Sequence, residues 1–203
     1  MGNEFLVYFN LGFSHITDLE GYDHLLFVIG LCAIFRLVEW RRILILITSF
    51  TVGHGLTLIL AGRYGNFLGA TLTEQLVAVT IVLTGLYNLF MPVVRTAKAN
   101  WPAYALAGVF GLVHGLAFSN FFLALGSNPA DLWRELLAFN LGVEVGQLAI
   151  VCWFFLLYLL VLRLSVNFIG RDEAAQLQVH RYWSKGISLL VFVAGAWMLM
   201  ERI

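Results

Sequence analysis

Phe13-Ser14-His15-Ile16-Thr17-Asp18-Leu19-Glu20-Gly21-Tyr22-Asp23-His24 leads directly into the apolar run Leu25-Leu26-Phe27-Val28. Two imidazoles and several carboxylates therefore stand at the edge of a segment that reads as membrane-spanning. A charged side chain at the centre of a bilayer costs about 2.5–3.5 kcal/mol on insertion scales, so such groups pair, bind ions or line a wet cavity. The stretch marks where the chain enters hydrocarbon, and it raises the question of what Asp23 and His24 are paired with.

Around it, 61% of the 203 residues are hydrophobic and 12% charged, and the mean hydropathy is +0.87. These values lie outside the soluble globular class. Twelve Lys and Arg balance twelve Asp and Glu, a formal net charge of zero that gives no sign of a nucleic-acid partner. Hydropathy predicts an all-α polytopic membrane helix bundle with six transmembrane helices, at 20–38, 43–61, 73–92, 102–122, 134–162 and 185–200. The apolar runs are continuous, without the two-residue alternation of barrel strands. Residues 1–19 carry an apolar stretch too short to cross and read as an interfacial or re-entrant segment, so 1–203 forms one integral domain with the bundle at 20–200. No Lys or Arg precedes Arg36, so the basic n-region of a signal peptide is missing and the N-terminus reads as mature. Cys32 and Cys152 fall in apolar runs and read as small buried hydrophobes.

Basic residues set the expected orientation. Arg36, Arg41, Arg42, Arg95, Lys98, Arg163, Arg171, Arg181 and Lys185 fall between spans one and two, three and four, and five and six, leaving Arg63, Arg134 and Arg202 on the other side. The positive-inside rule then puts both termini outside, with Trp40, Trp101, Trp133 and Trp183 near span ends as an aromatic belt.

Depth along the helices brings out the candidate site. His24 is twelve residues from Arg36, His54 twelve from Arg42, His114 thirteen from Trp101 and Glu144 ten from Arg134. At about 1.5 Å per residue these four share one level in the outer half of the membrane. Imidazoles with carboxylates are a ligand set for zinc, nickel or cobalt. Asp23 would ligate or hold an imidazole as its acceptor, and His15 would cap the site from the interfacial segment. Taken singly, each histidine also fits a neutral imidazole hydrogen-bonded between helices. Asp23 likewise suits a helix start, as do Glu74 and Gln75. His180, among Gln178, Arg181 and Tyr182, reads as a solvated loop residue. Phe50-Thr-Val-Gly-His54-Gly-Leu and Phe110-Gly-Leu-Val-His114-Gly-Leu echo one another, with glycines that allow close helix approach. The remaining phenylalanines read as lipid-facing or packing surface.

His15 with Gly-Tyr-Asp23-His24-Leu-Leu-Phe, the Phe50, His54 and Thr57 pattern, Phe110-Gly-Leu-Val-His114-Gly-Leu, and Asn140-Leu-Gly-Val-Glu144-Val-Gly-Gln147 together resemble the HupE/UreJ family over roughly residues 12–150. The resemblance implies a six-helix nickel or cobalt permease of the bacterial inner membrane, associated with hydrogenase or urease maturation, in which Asp23-His24 handles metal. The better-known branch has His-Pro and a shorter gap before its Asp-His pair; here Ile16 follows His15, so the chain is similar to the other branch.

Three functions fit these residues. The first is a permease whose outer-half site captures a divalent ion. Its difficulty is the inner half, where Thr48, Ser49, Thr80, Thr84 and Asn88 are polar but no carboxylate lines an exit. The second is a zinc-dependent intramembrane hydrolase with His24, His54 and His114 on the metal and Glu144 or Asp23 as general base. The third is a metal-stabilised accessory subunit serving a membrane partner or a second copy of the chain.

Overall fold

The computed structural model describes residues 2–65, 68–91, 101–124, 132–170 and 172–203. These residues form the helices α1 (Gly2–Thr17), α2 (Tyr22–Cys32), α3 (Trp40–Tyr64), α4 (Ala70–Phe90), α5 (Trp101–Ala124), α6 (Leu132–Ile169) and α7 (Glu173–Glu201), with one 3-10 turn at Leu37–Glu39. By length and composition, Leu37–Tyr64, Ala70–Phe90, Leu132–Ser165 and Glu173–Glu201 can cross a membrane, while the apolar Tyr22–Cys32 and Ala103–Ser119 are shorter. Arg95, Lys98 and Arg171 lie outside the described residues.

The expected first span, 20–38, is helical only over Tyr22–Cys32, eleven residues or about 16 Å. Polar contacts end it early. Asn88 Nδ2 donates to the Gly30 carbonyl at 2.7 Å, Ala33 N–H is shared between Ile29 and Gly30, and Arg36 turns extended with its N–H on Glu39 Oε2 at 3.0 Å. The last two helices run longer than their apolar parts. α6 has 38 residues and α7 29, so most of the expected loop 163–185 is helix. Asp172 caps the start of α7 by accepting from Ala175 N–H at 3.3 Å. Lys185 Nζ donates to the Asn88, Leu89 and Met91 carbonyls, holding the C-terminal end of α4.

Glycine contacts fix the helix directions. Gly142 faces the Phe9 carbonyl and Phe13 nitrogen, and Gly146, one turn on, faces Ile16 and Thr17, so α1 and α6 run parallel. Gly108 and Gly115 do the same for α3 and α5, the first against the Ser49 carbonyl, the second against the His54 carbonyl. Gly85 at Phe192 and Gly195 at Val82 make α4 and α7 antiparallel, and Phe154 and Tyr158 against Trp183 and His180 make α6 and α7 antiparallel. Asp23 meets Arg202 while Gly30 meets Val191, so α2 opposes α7. Gly55 meets Asn140 while Gly62 meets Leu132, so α3 opposes α6. Hence α1, α2, α4 and α6 point the same way, against α3, α5 and α7. The expected interfacial or re-entrant segment is α1, packed along α6 and continued after a break by α2.

Two expectations are overturned. His180 is not a solvated loop residue: it lies in α7, is 1% exposed, and packs its ring 5.6 Å from that of Tyr158. The buried face Ala175, Val179, His180 and Ser184 has helical spacing that a hydropathy window averages away. Cys152 is exposed on α6, whereas Cys32 is buried as expected.

An alanine Cβ at Gly53 would sit 2.1 Å from the Gly108 carbonyl oxygen, with backbone on the far side that cannot rotate away. Gly53→Ala is expected to cost at least the roughly 1–3 kcal/mol of an overpacked core, read as a lowered unfolding temperature in detergent. Gly62→Ala, whose Cβ meets nothing nearer than Leu132 at 3.8 Å, should leave it unchanged.

Candidate functional site

The site forms where α1 stops and α2 starts. A helix break leaves carbonyls of the first piece and N–H groups of the second without intrahelical partners, which makes it a natural place for polar ligands. His15 sits in the last turn of α1 and Asp23 in the first turn of α2, where a carboxylate suits the positive end of the helix dipole. Asp23 Oδ1 accepts the His24 backbone N–H at 2.9 Å, and His24 Nδ1 pairs with the same oxygen at 2.9 Å. Asp23 Oδ2 faces Arg202 Nη2 at 3.4 Å.

Four imidazoles gather there. Ring centroids are 4.4 Å apart for His15 and His24, 6.1 Å for His15 and His54, and 5.4 Å for His24 and His114. His54 and His114 are delivered by the parallel pair α3 and α5, whose echoing stretches are their contact surface. An imidazole bound through nitrogen has its centroid about 3 Å from the ion, so rings sharing an ion lie within about 6 Å of each other. The spacings are near this limit, but among the described residues no three His, Cys, Asp or Glu side chains are placed to hold a metal ion. The rings are neighbours that do not converge on one point.

Their nitrogens nevertheless have the character of ligands. His114 Nδ1 is 2.9 Å from the Phe110 carbonyl and must donate to it, which leaves Nε2 as a free lone pair. Asn140 Nδ2 donates to the Leu136 carbonyl at 2.8 Å, turning its oxygen toward His54 Nδ1 at 3.4 Å, so His54 also presents an unprotonated Nε2. Outer acceptors of this kind are what orient metal-binding imidazoles. His15 Nε2, His54 Nε2 and His114 Nε2 are all buried without a hydrogen-bond partner. The donor set therefore suits a borderline divalent ion, with ring rotation required to close around it.

Glu144 does not join the rings. Its Oε1 accepts from Thr48 Oγ1 at 2.7 Å, and Thr48 is six residues, about 9 Å, along α3 from His54. Gln147 likewise accepts from Thr51 at 3.0 Å. Of the six expected residues, the structure thus brings together His15, Asp23, His24, His54 and His114, while Glu144 reaches α3 lower down.

Sequence reading missed two features. Phe27, Phe50 and Phe110 form an aromatic floor, with Phe27 5.1 Å from Phe50 and 5.3 Å from Phe110, and 5.0 Å from the His114 ring above. Each is three or four residues from a site histidine, the spacing that places side chains on one helix face. The other feature is Arg202, distant in sequence, which carried no signal. Beside the break a surface cleft of about 780 Å³ opens, lined by Ser14, His15, Thr17, Asp18 and Phe118 among others.

Fold and site together define a multi-pass helical membrane protein with an imidazole cluster at a helix break. The chain belongs to the HupE / UreJ protein family, whose profile matches residues 1–202. Comparison with curated proteins and with solved structures gave no match.

The hydrogen bonds predict that His54 and His114 are both Nδ1–H tautomers. Histidine 15N shifts of the purified protein should report this, and Asn140→Leu should release His54 from that tautomer while leaving His114 unchanged.

Proposed function

We propose that this chain is a divalent-metal permease with nickel or cobalt as cargo, loaded at the break between α1 and α2. The observation that carries the reading is that break itself, flanked by His15 and Asp23-His24 and closed by His54 and His114. Transporters commonly place ion sites at discontinuous helices near the middle of the membrane, where helix ends and unwound backbone offer ligands. In this reading α1 and α2 make one interrupted crossing, and α3 to α7 supply five more. With nine basic residues on one side, both termini face outside and the cleft beside His15 is the outer mouth.

His54 and His114 would hold the ion through their free nitrogens and His24 through its ring beside Asp23, with His15 as a capturing ligand at the mouth and Asp23 supplying negative charge. Asn140 and the Phe110 carbonyl keep two imidazoles in the binding tautomer. The Phe27, Phe50 and Phe110 floor seals the loaded site from a smaller inner cavity of about 240 Å³, to which Phe110, Leu46, Thr84 and Asn88 contribute. Transport requires that floor to part. A hydrolase is the weaker reading, because Glu144, its expected base, is held by Thr48 away from the rings, and Asp23 faces Arg202.

The test is uptake of nickel, cobalt and zinc into sealed vesicles containing the purified chain, beside equilibrium binding in detergent. Wild type should show saturable uptake. His54→Ala should lose more affinity than the roughly 10–100-fold typical of outer partners, with no flux remaining. Phe110→Ala should retain binding and leak ions without saturation. Binding should weaken as pH falls, since protons compete for the same nitrogens. Metal bound tightly with no flux in any variant would overturn the permease and leave a binding role.

A further inference from the structure

Arg202 ties three elements together at the outer end of the site. Its Nη1 donates to the Glu74 carbonyl at 2.9 Å, its own carbonyl accepts from Gln75 Nε2 at 2.7 Å, and its Nη2 faces Asp23 Oδ2 at 3.4 Å. The end of α7 is thereby strapped to α4 while the guanidinium points at the start of α2. We propose that Arg202 is the resident counter-cation of Asp23, a positioning residue that holds the carboxylate in the empty site and must withdraw when a divalent ion loads. This rests on the metal-binding reading above.

Charge and geometry lead to this. Both oxygens of Asp23 are engaged, Oδ1 by the backbone N–H of the next residue in its own helix and Oδ2 by Arg202. A cation that takes this carboxylate can displace only the second partner without unwinding α2. Arginine stays protonated at any working pH, so it cannot yield by losing its charge. A dipositive ion on Oδ2 and a guanidinium within a few ångström repel each other, strongly so where water is scarce. The two cations exclude one another, and Arg202 has a way out: its side chain keeps 25% of its surface exposed at the outer end of the bundle. Loading therefore exchanges one cation for another on Asp23 and loosens the α7 end from Glu74.

Nickel affinity of the purified full-length chain in detergent tests the exchange. Arg202→Gln removes the competing charge but keeps the backbone contact to Gln75, and should bind nickel on the order of tenfold more tightly, within the range of ordinary coupling between sites. Arg202→Lys should stay near wild type. Gln75→Leu, which cuts the strap and spares the charge, should change affinity little. A second readout is a nitroxide at Ile203→Cys in a Cys152→Ser background, with diamagnetic zinc as the probe: the label should be restrained in the empty protein and mobile when zinc is bound. If wild type binds no metal, the reading of the site falls. If it binds, and Arg202→Gln is unchanged or weaker, or Gln75→Leu tightens binding as much, or the label ignores zinc, the counter-cation role falls while the site stands.

Discussion

Keeping imidazole nitrogens without partners in an apolar interior is the constraint on which the structure turns. An unsatisfied buried polar group costs about 1–3 kcal/mol. Three such nitrogens, on His15, His54 and His114, lie in one chain of ring contacts with His24. The bundle does not neutralise them by mutual hydrogen bonds. It instead spends its polar acceptors, Asn140 and the Phe110 carbonyl, on the outward nitrogens of His54 and His114, so that the inward ones stay free. Partly satisfied polar networks in a low dielectric are unstable arrangements unless something completes them, which a hydrogen-bond donor or a Lewis-acidic ion does equally.

Backbone contact between parallel helices sets the geometry of that cluster. Phe9-Asn10-Leu11-Gly12 in α1 and Phe139-Asn140-Leu141-Gly142 in α6 are the same tetrapeptide, and each glycine seats against the carbonyl of the other's phenylalanine. Gly53 and Gly111 give α3 and α5 the same reciprocal seating. Small residues at such crossings let helices approach closely, with van der Waals packing and Cα–H···O contacts in place of the hydrophobic effect. One pair brings His15 and Asn140 to the site, the other His54 and His114. Two close-packed pairs thus present imidazoles, while α2, held at its start by Arg202 and near its end by Asn88, presents Asp23 and His24 beside them.

Sequence alone made the bundle and most of the site legible, because apolar run length and histidine depth are linear quantities. Counting residues from flanking basic and aromatic positions placed His24, His54 and His114 at one level, and the structure brings their rings together. Counting could not tell that Glu144 stops at Thr48, since level does not specify which side of a helix seam a carboxylate occupies. Nor could it see α1 as a helix running parallel to α6: sixteen residues are too few to cross, and the direction comes from the seats of Gly142 and Gly146 against α1. The repeated Phe-Asn-Leu-Gly was the available signal. His180 was misread because its burial depends on α7 continuing as a helix beyond the apolar segment, which average hydropathy hides. Arg202 was beyond sequence reading altogether, its partners being 128 and 179 residues away.

The uneven distribution of polar groups across the aromatic floor bears on how a permease would release its cargo. Above Phe27, Phe50 and Phe110 stand imidazoles with free lone pairs and a carboxylate. Below them, Thr80, Thr84 and Ser188 return their hydroxyls to carbonyls of their own helices, at 2.7, 2.8 and 2.6 Å, and Asn88 spends its amide on Gly30. Hydroxyl and amide oxygens hold a borderline transition ion far less well than imidazole. Conduction needs a site strong enough to load and a path weak enough to leave. Below the floor Glu144 is engaged by Thr48, and the other oxygen ligands along an inner route are hydroxyls and amides, which would meet the second requirement.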